Sequence, residues 1–278
     1  MEYKIIVDSC CDLTPELVER LGIAAVIPMT VMLGEKEFVD DDNLDIPEFM
    51  AEMKACKGKT SSASPPPVAF MEAIESAIHS FVVTISSQLS GSYANAELGK
   101  QFAEENGIVN THVFDSKSAS AGEVLVAIKL RELLSKGIPK EQIINSINQF
   151  IDNMKTYFVL ERYENLIRNG RLNKVTGKIV QLMNVKLIMG SDGNGNIKLH
   201  AKPRGTEQML EKIASFIKSS NRPTIGESMV ICHCDNFPLA KQLSNAIKRQ
   251  FNFKEIIIIP TRGTISLYAD AKGIVMAF

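Results

Sequence analysis

Hydrophobic positions in the first half of the chain fall alternately into short apolar runs and longer amphipathic stretches. The runs have strand length and the stretches have helical spacing, and in order they occupy residues 4–7, 81–85, 94–105, 111–114, 123–135 and 140–154. Strands that alternate with helices are typical of a mostly parallel sheet covered by helices on both faces. We therefore predict an N-terminal α/β/α domain over residues 1–155.

The pattern changes after Lys155. A strand is predicted over 156–160, and the apolar runs 185–189 and 197–200 flank the turn sequence Ser-Asp-Gly-Asn-Gly-Asn, which is a strong hairpin signal. Further strands and helices follow without strict alternation. This half is α+β in character, so we predict a second domain over residues 156–278 and an overall α/β fold of two domains.

Two segments rich in hydroxyl groups precede helical stretches. One is Lys-Thr-Ser-Ser-Ala-Ser-Pro at 59–65, and the other is Ser-Ser-Gln-Leu-Ser-Gly-Ser-Tyr at 86–93, directly after a predicted strand. We expect both to be loops that open helices, where backbone N–H groups and hydroxyls suit a small anion. Neither segment ends in the Gly-Lys-Ser/Thr of a phosphate-binding loop, which favours a singly charged anion over a nucleotide polyphosphate. The same hydroxyl-rich segments are explained equally well as ordinary caps of the two helices that follow them, without any bound anion.

Asp8 and Asp115 lie where predicted strands end, at the edge of the sheet that binds ligands in open α/β folds. We expect both carboxylates to support the neighbouring loops through buried hydrogen bonds rather than to take part in chemistry. The four histidines are scattered along the sequence and are assigned no role.

Charge and composition exclude several classes of protein. The net charge is −1 and the charged residues are interspersed, so no basic stripe for nucleic acid is present. No apolar run approaches the roughly 20 residues that span a bilayer. The sequence enters a strand at once, without a signal peptide, and its five cysteines fit free thiols, so we expect a cytoplasmic protein. Cys232, His233 and Cys234 alternate along a predicted strand and cannot share one metal site, so no metal is expected.

Several motifs resemble those of the DegV family and run in order over nearly the whole chain. They are Asp8-Ser9 with Asp12-Leu13, Lys59-Thr60-Ser61 with Ser64-Pro65, Ile85-Ser86-Ser87-x-Leu89-Ser90-Gly91-Ser92-Tyr93, Phe114-Asp115-Ser116 with Ser120 and Gly122, Leu166-Ile167-Arg168-Asn169-Gly170-Arg171, and Arg204 after the hairpin. The resemblance implies a two-domain fold that holds a long-chain fatty acid in a tunnel between the domains. It also implies a binding subunit without catalytic residues, which presents the acyl carboxylate to a separate fatty acid kinase subunit.

The resemblance assigns the acyl carboxylate to residues of the two hydroxyl-rich segments, namely Thr60, Ser61, Ser90, Gly91 and Ser92. Arg171 and Arg204 match basic positions near the mouth of the site and on the kinase-facing surface. The implied ligand is the fatty acid itself, with no further cofactor. The implied partners are the kinase and, transiently during lipid exchange, a membrane surface.

The C-terminal segment departs from the family's pattern. Many members carry a His-x-Gly-Pro-Gly motif there, whereas residues 261–278 of this chain contain no His. Hydroxyl groups that could replace the His belong to Thr264, Ser266 and Tyr268. Two alternatives stay open: the ligand is another amphiphilic carboxylate, or Ser90 or Ser92 is the nucleophile of an acyl hydrolase. The second is weaker because no GxSxG motif is present.

Overall fold

Three sheets and the helices between them organise the chain in the computed structural model, which describes residues 3–77, 79–172 and 185–278. Residues up to Asn153 form β1 (Lys4–Asp8), α1 (Pro15–Leu21), β2 (Ile23–Ile27), β3 (Thr30–Leu33), β4 (Lys36–Val39), α2 (Ile46–Ala55), β5 (Thr60–Ala63), α3 (Pro67–Ala77), β6 (His79–Thr84), α4 (Ser92–Glu105), β7 (Asn110–Asp115), α5 (Ala121–Ser135) and α6 (Lys140–Asn153).

The described part of the remaining chain forms a second series of elements. They are β8 (Thr156–Val159), α7 (Glu164–Arg168), β9 (Ile188–Ser191), β10 (Ile197–Ala201), α8 (Gly205–Ser219), β11 (Ser228–His233), α9 (Phe237–Lys248), β12 (Glu255–Pro260), α10 (Gly263–Ala269) and β13 (Ile274–Ala277). In the described ranges, no helix combines the length and apolar character needed to cross a bilayer.

A parallel sheet of four strands, in the order β2-β1-β6-β7, forms the centre of the first half. Alternate residues of β1 point to opposite faces. Ile5 and Val7 pack with α1, α5 and α6, whereas Ile6 packs with Phe70 and Ile74 of α3. Both faces are therefore covered, and the predicted α/β/α arrangement is confirmed.

The first hydroxyl-rich segment is not the loop that the sequence predicted. Residues 60–63 form β5, which pairs antiparallel with β3 in a small sheet of order β4-β3-β5. The strand was missed because its residues do not alternate between apolar and polar. Three of its four side chains carry hydroxyl groups, and none of the four is fully buried. Strand geometry places Thr60 and Ser62 on one face and Ser61 on the other.

A six-stranded mixed sheet, in the order β10-β9-β8-β13-β11-β12, forms the centre of the second half. Only the β11–β12 pair is parallel among its described pairings. Helices α8 and α9 cover one face, and α5 packs against β11 and β13 on the other. This half is α+β, as predicted.

Helix α5 joins the two halves. Every residue from Ala121 to Ile128 is buried, and the helix contacts β1 and β6 of the parallel sheet as well as β11 and β13 of the mixed sheet. Strand β7 belongs to the parallel sheet and β8 to the mixed sheet, and α5 and α6 lie between them in the chain. The domain limits 1–155 and 156–278 stay a prediction.

Candidate ligand-binding site

An apolar cavity lies where the parallel sheet, the mixed sheet and α10 meet. Its volume is about 100 Å³, and it is partly open to solvent. Both halves of the chain contribute to its wall. The large apolar side chains that line it are Ile85, Leu89, Phe158, Leu160, Leu166, Ile197 and Ile265. The described structure thus provides an apolar space between the two halves of the fold.

Polar residues contribute to several parts of the cavity wall, and besides Arg171 and Tyr268 they are Lys117, Ser118, Ser120, Thr156, Ser191 and Asn196. Arg171 and Tyr268 line the cavity, and Tyr268 also lines an outer groove that includes Thr60 and Asn165. Arg171 and Tyr268 lie close enough to interact, and we call the part of the cavity beside them the polar end. A cavity whose accessible wall is mostly apolar, with a few polar groups, suits an amphiphilic ligand.

The two hydroxyl-rich segments meet beside the polar end. The side-chain Nδ2 of Asn95, in the first turn of α4, donates to Ser64 Oγ (3.1 Å) and to the carbonyl of Pro65 (2.8 Å). A Cβ atom on Gly91 would lie 3.2 Å from Ser64 Oγ, so the backbone at Gly91 approaches the first segment closely. Folding therefore brings together two segments that are separated in the sequence.

Strand β5 presents hydroxyls toward α7 and α10. The Thr60 hydroxyl donates to Asn165 Oδ1 (3.0 Å), and the Ser62 and Tyr268 hydroxyls lie 2.8 Å apart. Ser61, on the opposite face of β5, is exposed. Burial raises the pKa of Tyr268, despite the opposing effects of Ser62 and Arg171, so its phenol stays protonated and can donate a hydrogen bond.

Ser92 is buried at the start of α4. Its hydroxyl donates to Asp8 Oδ2 (2.6 Å), and its backbone N–H donates to Ser90 Oγ (3.2 Å). The proton of the Ser92 hydroxyl is thus already used within the protein, whereas Ser90 is half-buried. The roles of Ser90, Gly91 and Ser92 as carboxylate ligands stay predictions.

Asp8 supports the second segment through buried hydrogen bonds, as the sequence predicted, whereas the half-buried Asp115 supports it through an exposed hydrogen bond. Asp8 Oδ2 accepts the Ile85 N–H (3.0 Å) as well as the Ser92 hydroxyl, and Asp115 Oδ1 accepts the Ser87 N–H (3.2 Å). Both carboxylates lie where strands of the parallel sheet end. They fix the loop between β6 and α4 through hydrogen bonds to its backbone.

Two further buried carboxylates position α10, which carries Tyr268. Asp40 accepts the N–H groups of Gly263 (2.9 Å) and Thr264 (2.8 Å). Asp12 accepts the Arg262 N–H (2.5 Å) and the Ser120 hydroxyl (2.6 Å). Burial raises the pKa of Asp12 to about 8. Acids from the first half of the chain therefore hold the start of a helix from the second half.

The two predicted arginines occupy different places. Arg171 Nε donates to the Leu89 carbonyl (3.0 Å), which brings the guanidinium to the second segment at the polar end. Arg204 is exposed at the start of α8, where its backbone N–H donates to Gln208 Oε1 (3.0 Å). Arg204 is not among the described residues that line the cavity.

Sequence reasoning missed two residues of the polar end. Ser62 was passed over in favour of Ser61, and a correct strand assignment for β5 would have paired Ser62 with Thr60 on one face. Asn165 gave no local signal, because its partner Thr60 is 105 residues away. Tyr268 had been considered only as one of three candidate replacements for a His.

The hydrolase alternative gains no support from the geometry. Ser92 donates to Asp8 rather than to a histidine. None of the four histidines is among the described residues that line the cavity. A base beside Ser90 or Ser92 is the feature that this alternative needs.

Comparison with known proteins identifies relatives along the entire chain. The model of the DegV family, a family of uncharacterised proteins, matches residues 2–278. A DegV domain-containing protein of Streptococcus pneumoniae is 33% identical over 280 residues, which cover 100% of this chain and 99% of that protein.

Two solved structures are similar at comparable identity. A DegV family protein of Ruminococcus gnavus with vaccenic acid is 34% identical, with a TM-score of 0.93, and the match covers 100% of both chains. The fatty acid kinase B3 protein of Streptococcus pneumoniae, loaded with linoleic acid, is 33% identical, with a TM-score of 0.92 over 100% of this chain and 99% of that chain. These similarities confirm the predicted two-domain α/β fold.

Proposed function

The chain belongs to the DegV family, and on that premise we propose that it binds a long-chain fatty acid in the cavity between its two halves. The observation that carries the proposal is the mostly apolar cavity with Arg171 and Tyr268 side by side in its wall. The fatty acids that accompany two full-length relatives, vaccenic acid and linoleic acid, support it. The carboxylate occupies the polar end, and the acyl chain runs along the apolar wall.

The acyl chain supplies most of the affinity. About 15 buried methylenes at roughly 0.8 kcal/mol each amount to on the order of 12 kcal/mol before the cost of association. A bilayer offers the same methylenes a similar environment. Preference for the protein over a membrane therefore depends on the polar end and on the shape of the cavity.

The polar end offsets the free-energy cost of moving a carboxylate out of water, which is large when the carboxylate stays unpaired. Arg171 supplies positive charge there, and Tyr268 and Ser62 supply hydroxyls that can turn toward the ligand. Thr60 lines the outer groove, and Ser90 and Gly91 follow Leu89, whose carbonyl accepts a hydrogen bond from Arg171. Ser61 is exposed and would have to turn toward the cavity to reach the carboxylate. Ser92 would have to give up its hydrogen bond to Asp8 to donate to the ligand instead.

The orientation of the ligand suits transfer of the carboxylate to a partner. With its polar head beside the outer groove, the fatty acid can be phosphorylated by a separate kinase subunit while its chain stays enclosed. The protein then acts as a binding subunit rather than as an enzyme. Arg204, exposed at the start of α8, contributes to the kinase-facing surface. Loading and release take place at a transiently contacted membrane surface.

The test compares two ligands that differ only in the head group. Oleic acid and oleyl alcohol are titrated against the purified protein by displacement of a fluorescent fatty acid. We expect oleic acid to bind at least tenfold more tightly, because the alcohol forms no charged contact with Arg171. Equal affinity for both ligands, or no binding of either, would contradict the proposal.

Presentation to a kinase is tested separately. Oleic acid, ATP and a purified bacterial fatty acid kinase subunit are incubated with and without this protein, and acyl phosphate is trapped with hydroxylamine. We expect the trapped product only when this protein is present. Tight binding of oleic acid without any acyl phosphate would support the fatty acid site and contradict presentation of the ligand to a kinase.

A further inference from the structure

The carboxyl group of Glu123 is enclosed in the first turn of α5, beneath the second hydroxyl-rich segment. Its exposed fraction is 0%, and no N–H or hydroxyl group of the described chain forms a hydrogen bond with either carboxyl oxygen. The neighbouring N–H of Ser120 donates instead to the Cys10 carbonyl (3.0 Å). An ionised carboxylate without donors is strongly disfavoured in such a place.

Asp8 has the opposite surroundings, although it is equally buried. Its carboxylate accepts the Cys10 N–H (3.0 Å), the Ile85 N–H (3.0 Å) and the Ser92 hydroxyl (2.6 Å). Burial raises the pKa of Asp8, and the three donors oppose that shift because they favour the ionised form, whereas Glu123 has no such donors. Of the two acids, Asp8 is therefore the better site for a negative charge.

The carboxyl groups of Asp8 and Glu123 are neighbours that interact electrostatically, close enough for a hydrogen bond between them. Two carboxyl groups can form such a bond only if one of them carries a proton. Burial, and next the charge of Asp8, raise the pKa of Glu123 well above its ordinary value. The neighbouring ionisable groups are acids as well, namely Asp12 and the thiols of Cys10, Cys11 and Cys232.

We propose that Glu123 keeps its proton at neutral pH and donates it to Asp8, and that it thereby positions the loop between β6 and α4. Asp8 holds that loop at both ends, through Ile85 and Ser92. An ionised Glu123 would repel Asp8 in a medium of low dielectric constant and displace these bonds. The relevance of this loop to a ligand rests on the proposed function, whereas the proton and the loop geometry do not.

Two variants separate the donated proton from the bulk of the side chain. Glu123→Gln keeps the shape and can donate an amide N–H to Asp8, whereas Glu123→Met has similar length and no donor. We expect hydrogen–deuterium exchange of the Ile85 amide, which donates to Asp8, to stay within about twofold of wild type in Glu123→Gln and to become about tenfold faster in Glu123→Met. Equal exchange in both variants would overturn the positioning role.

Infrared spectroscopy reports the proton itself. We expect a carboxylic acid C=O band at neutral pH in the wild-type-minus-Glu123→Gln difference spectrum, from which the contribution of Asp12 cancels. Absence of the band would overturn the inference. This measurement does not require Glu123→Met to fold.

The oleic acid titration distinguishes failure of the inference from failure of the proposed function. If the band and the exchange pattern are found but wild-type protein does not bind oleic acid, the proposed function fails and the inference stands. If oleic acid binds but the band is missing, the inference alone fails. If both hold, we expect Glu123→Met to bind oleic acid about tenfold more weakly and Glu123→Gln to bind it like wild type.

Discussion

The phenol oxygen of Tyr268 lies 2.8 Å from the hydroxyl oxygen of Ser62, although 206 residues separate them in the sequence. The contact joins α10 to β5 and therefore the two halves of the chain at the polar end of the cavity. Because Tyr268 also borders the outer groove, its hydroxyl stands where an enclosed ligand would meet solvent or a partner.

Removal of the phenol hydroxyl should weaken binding of the carboxylate. Tyr268→Phe keeps the ring that lines the cavity and loses one hydrogen bond, so we expect about tenfold weaker binding of oleic acid, consistent with roughly 1–1.5 kcal/mol. Binding of oleyl alcohol should change less. Tyr93→Phe, on α4 outside the cavity lining, is the matched control. Equal losses for acid and alcohol would show that Tyr268 acts through packing alone.

Arg171 and Arg204 should behave differently when their charges are removed. Arg171→Gln takes positive charge from the polar end, and we expect oleic acid affinity to fall ten- to a hundredfold, because hydrogen bonds to charged groups contribute about 1.5–3 kcal/mol. Arg204→Gln, at an exposed position outside the cavity lining, should bind oleic acid like wild type. Equal losses of oleic acid affinity in the two variants, measured by the fluorescence titration, would show that Arg171 does not bind the carboxylate.

Ser90 and Ser92 should differ in what they contribute to stability. Ser92→Ala removes a buried donor from Asp8 and should lower the free energy of unfolding by about 1–3 kcal/mol. Ser90→Ala removes a half-buried acceptor of one backbone N–H and should cost less than about 1 kcal/mol. Urea unfolding of both variants measures the difference. A Ser90→Ala loss as large as that of Ser92→Ala would contradict the structural role given to the Asp8 bond.

Filling the cavity should abolish binding without unfolding the protein. Ile197, on the edge strand β10, lines the cavity, and Lys198 is exposed beside it. We expect Ile197→Trp to lose oleic acid binding and Lys198→Trp to retain it, with thermal unfolding midpoints close to wild type in both. Retained binding in a folded Ile197→Trp protein would place the acyl chain elsewhere.

Stability should fall as the pH rises from mildly acidic to mildly basic. Burial raises the pKa of Asp12 from 3.8 to about 8, so in this window the folded protein binds a proton that the unfolded chain has released. The free energy of unfolding therefore decreases with pH, by at most about 1.4 kcal/mol per pH unit for this proton. Glu123, whose pKa is also raised, contributes with the same sign.

Asp12→Asn tests this dependence. The Asn side chain oxygen can still accept the Arg262 N–H, and the Ser120 hydroxyl can rotate to accept from the amide. Urea unfolding between about pH 5 and about pH 8 should give a flatter dependence for Asp12→Asn than for wild type. Identical slopes, or a slope of the opposite sign, would show that Asp12 does not hold the proton.

Long elements with strong periodicity were predictable from sequence, and short half-buried ones were not. The parallel sheet followed from apolar runs such as 81–85, because strands buried on both faces carry continuous hydrophobic signals. Strand β5 shows only hydroxyls and lies in a small half-buried sheet, so its pattern indicated a loop. The helix α10 was also missed, since its start is fixed by Asp12 and Asp40 rather than by a local cap.

The candidate site was predictable as two segments but not as a set of contacts. The Ser-Gly segment after β6 was identified because a strand, a Ser-rich turn and a helix follow one another locally. The pairing of Ser62 with Tyr268 and of Thr60 with Asn165 depends on how α7 and α10 pack on β5. Such long-range pairs leave no trace in a single sequence, because neither residue type nor spacing specifies the partner.

The small molecule that the protein carries after purification tests the central claim most directly. The protein is denatured, the released lipid is identified by mass spectrometry, and Ile197→Trp protein is analysed in parallel. We expect a long-chain fatty acid in near-stoichiometric amount from the native protein and depletion of it in the variant. An amphiphile without a carboxylate, or equal amounts of fatty acid from both proteins, would contradict the account.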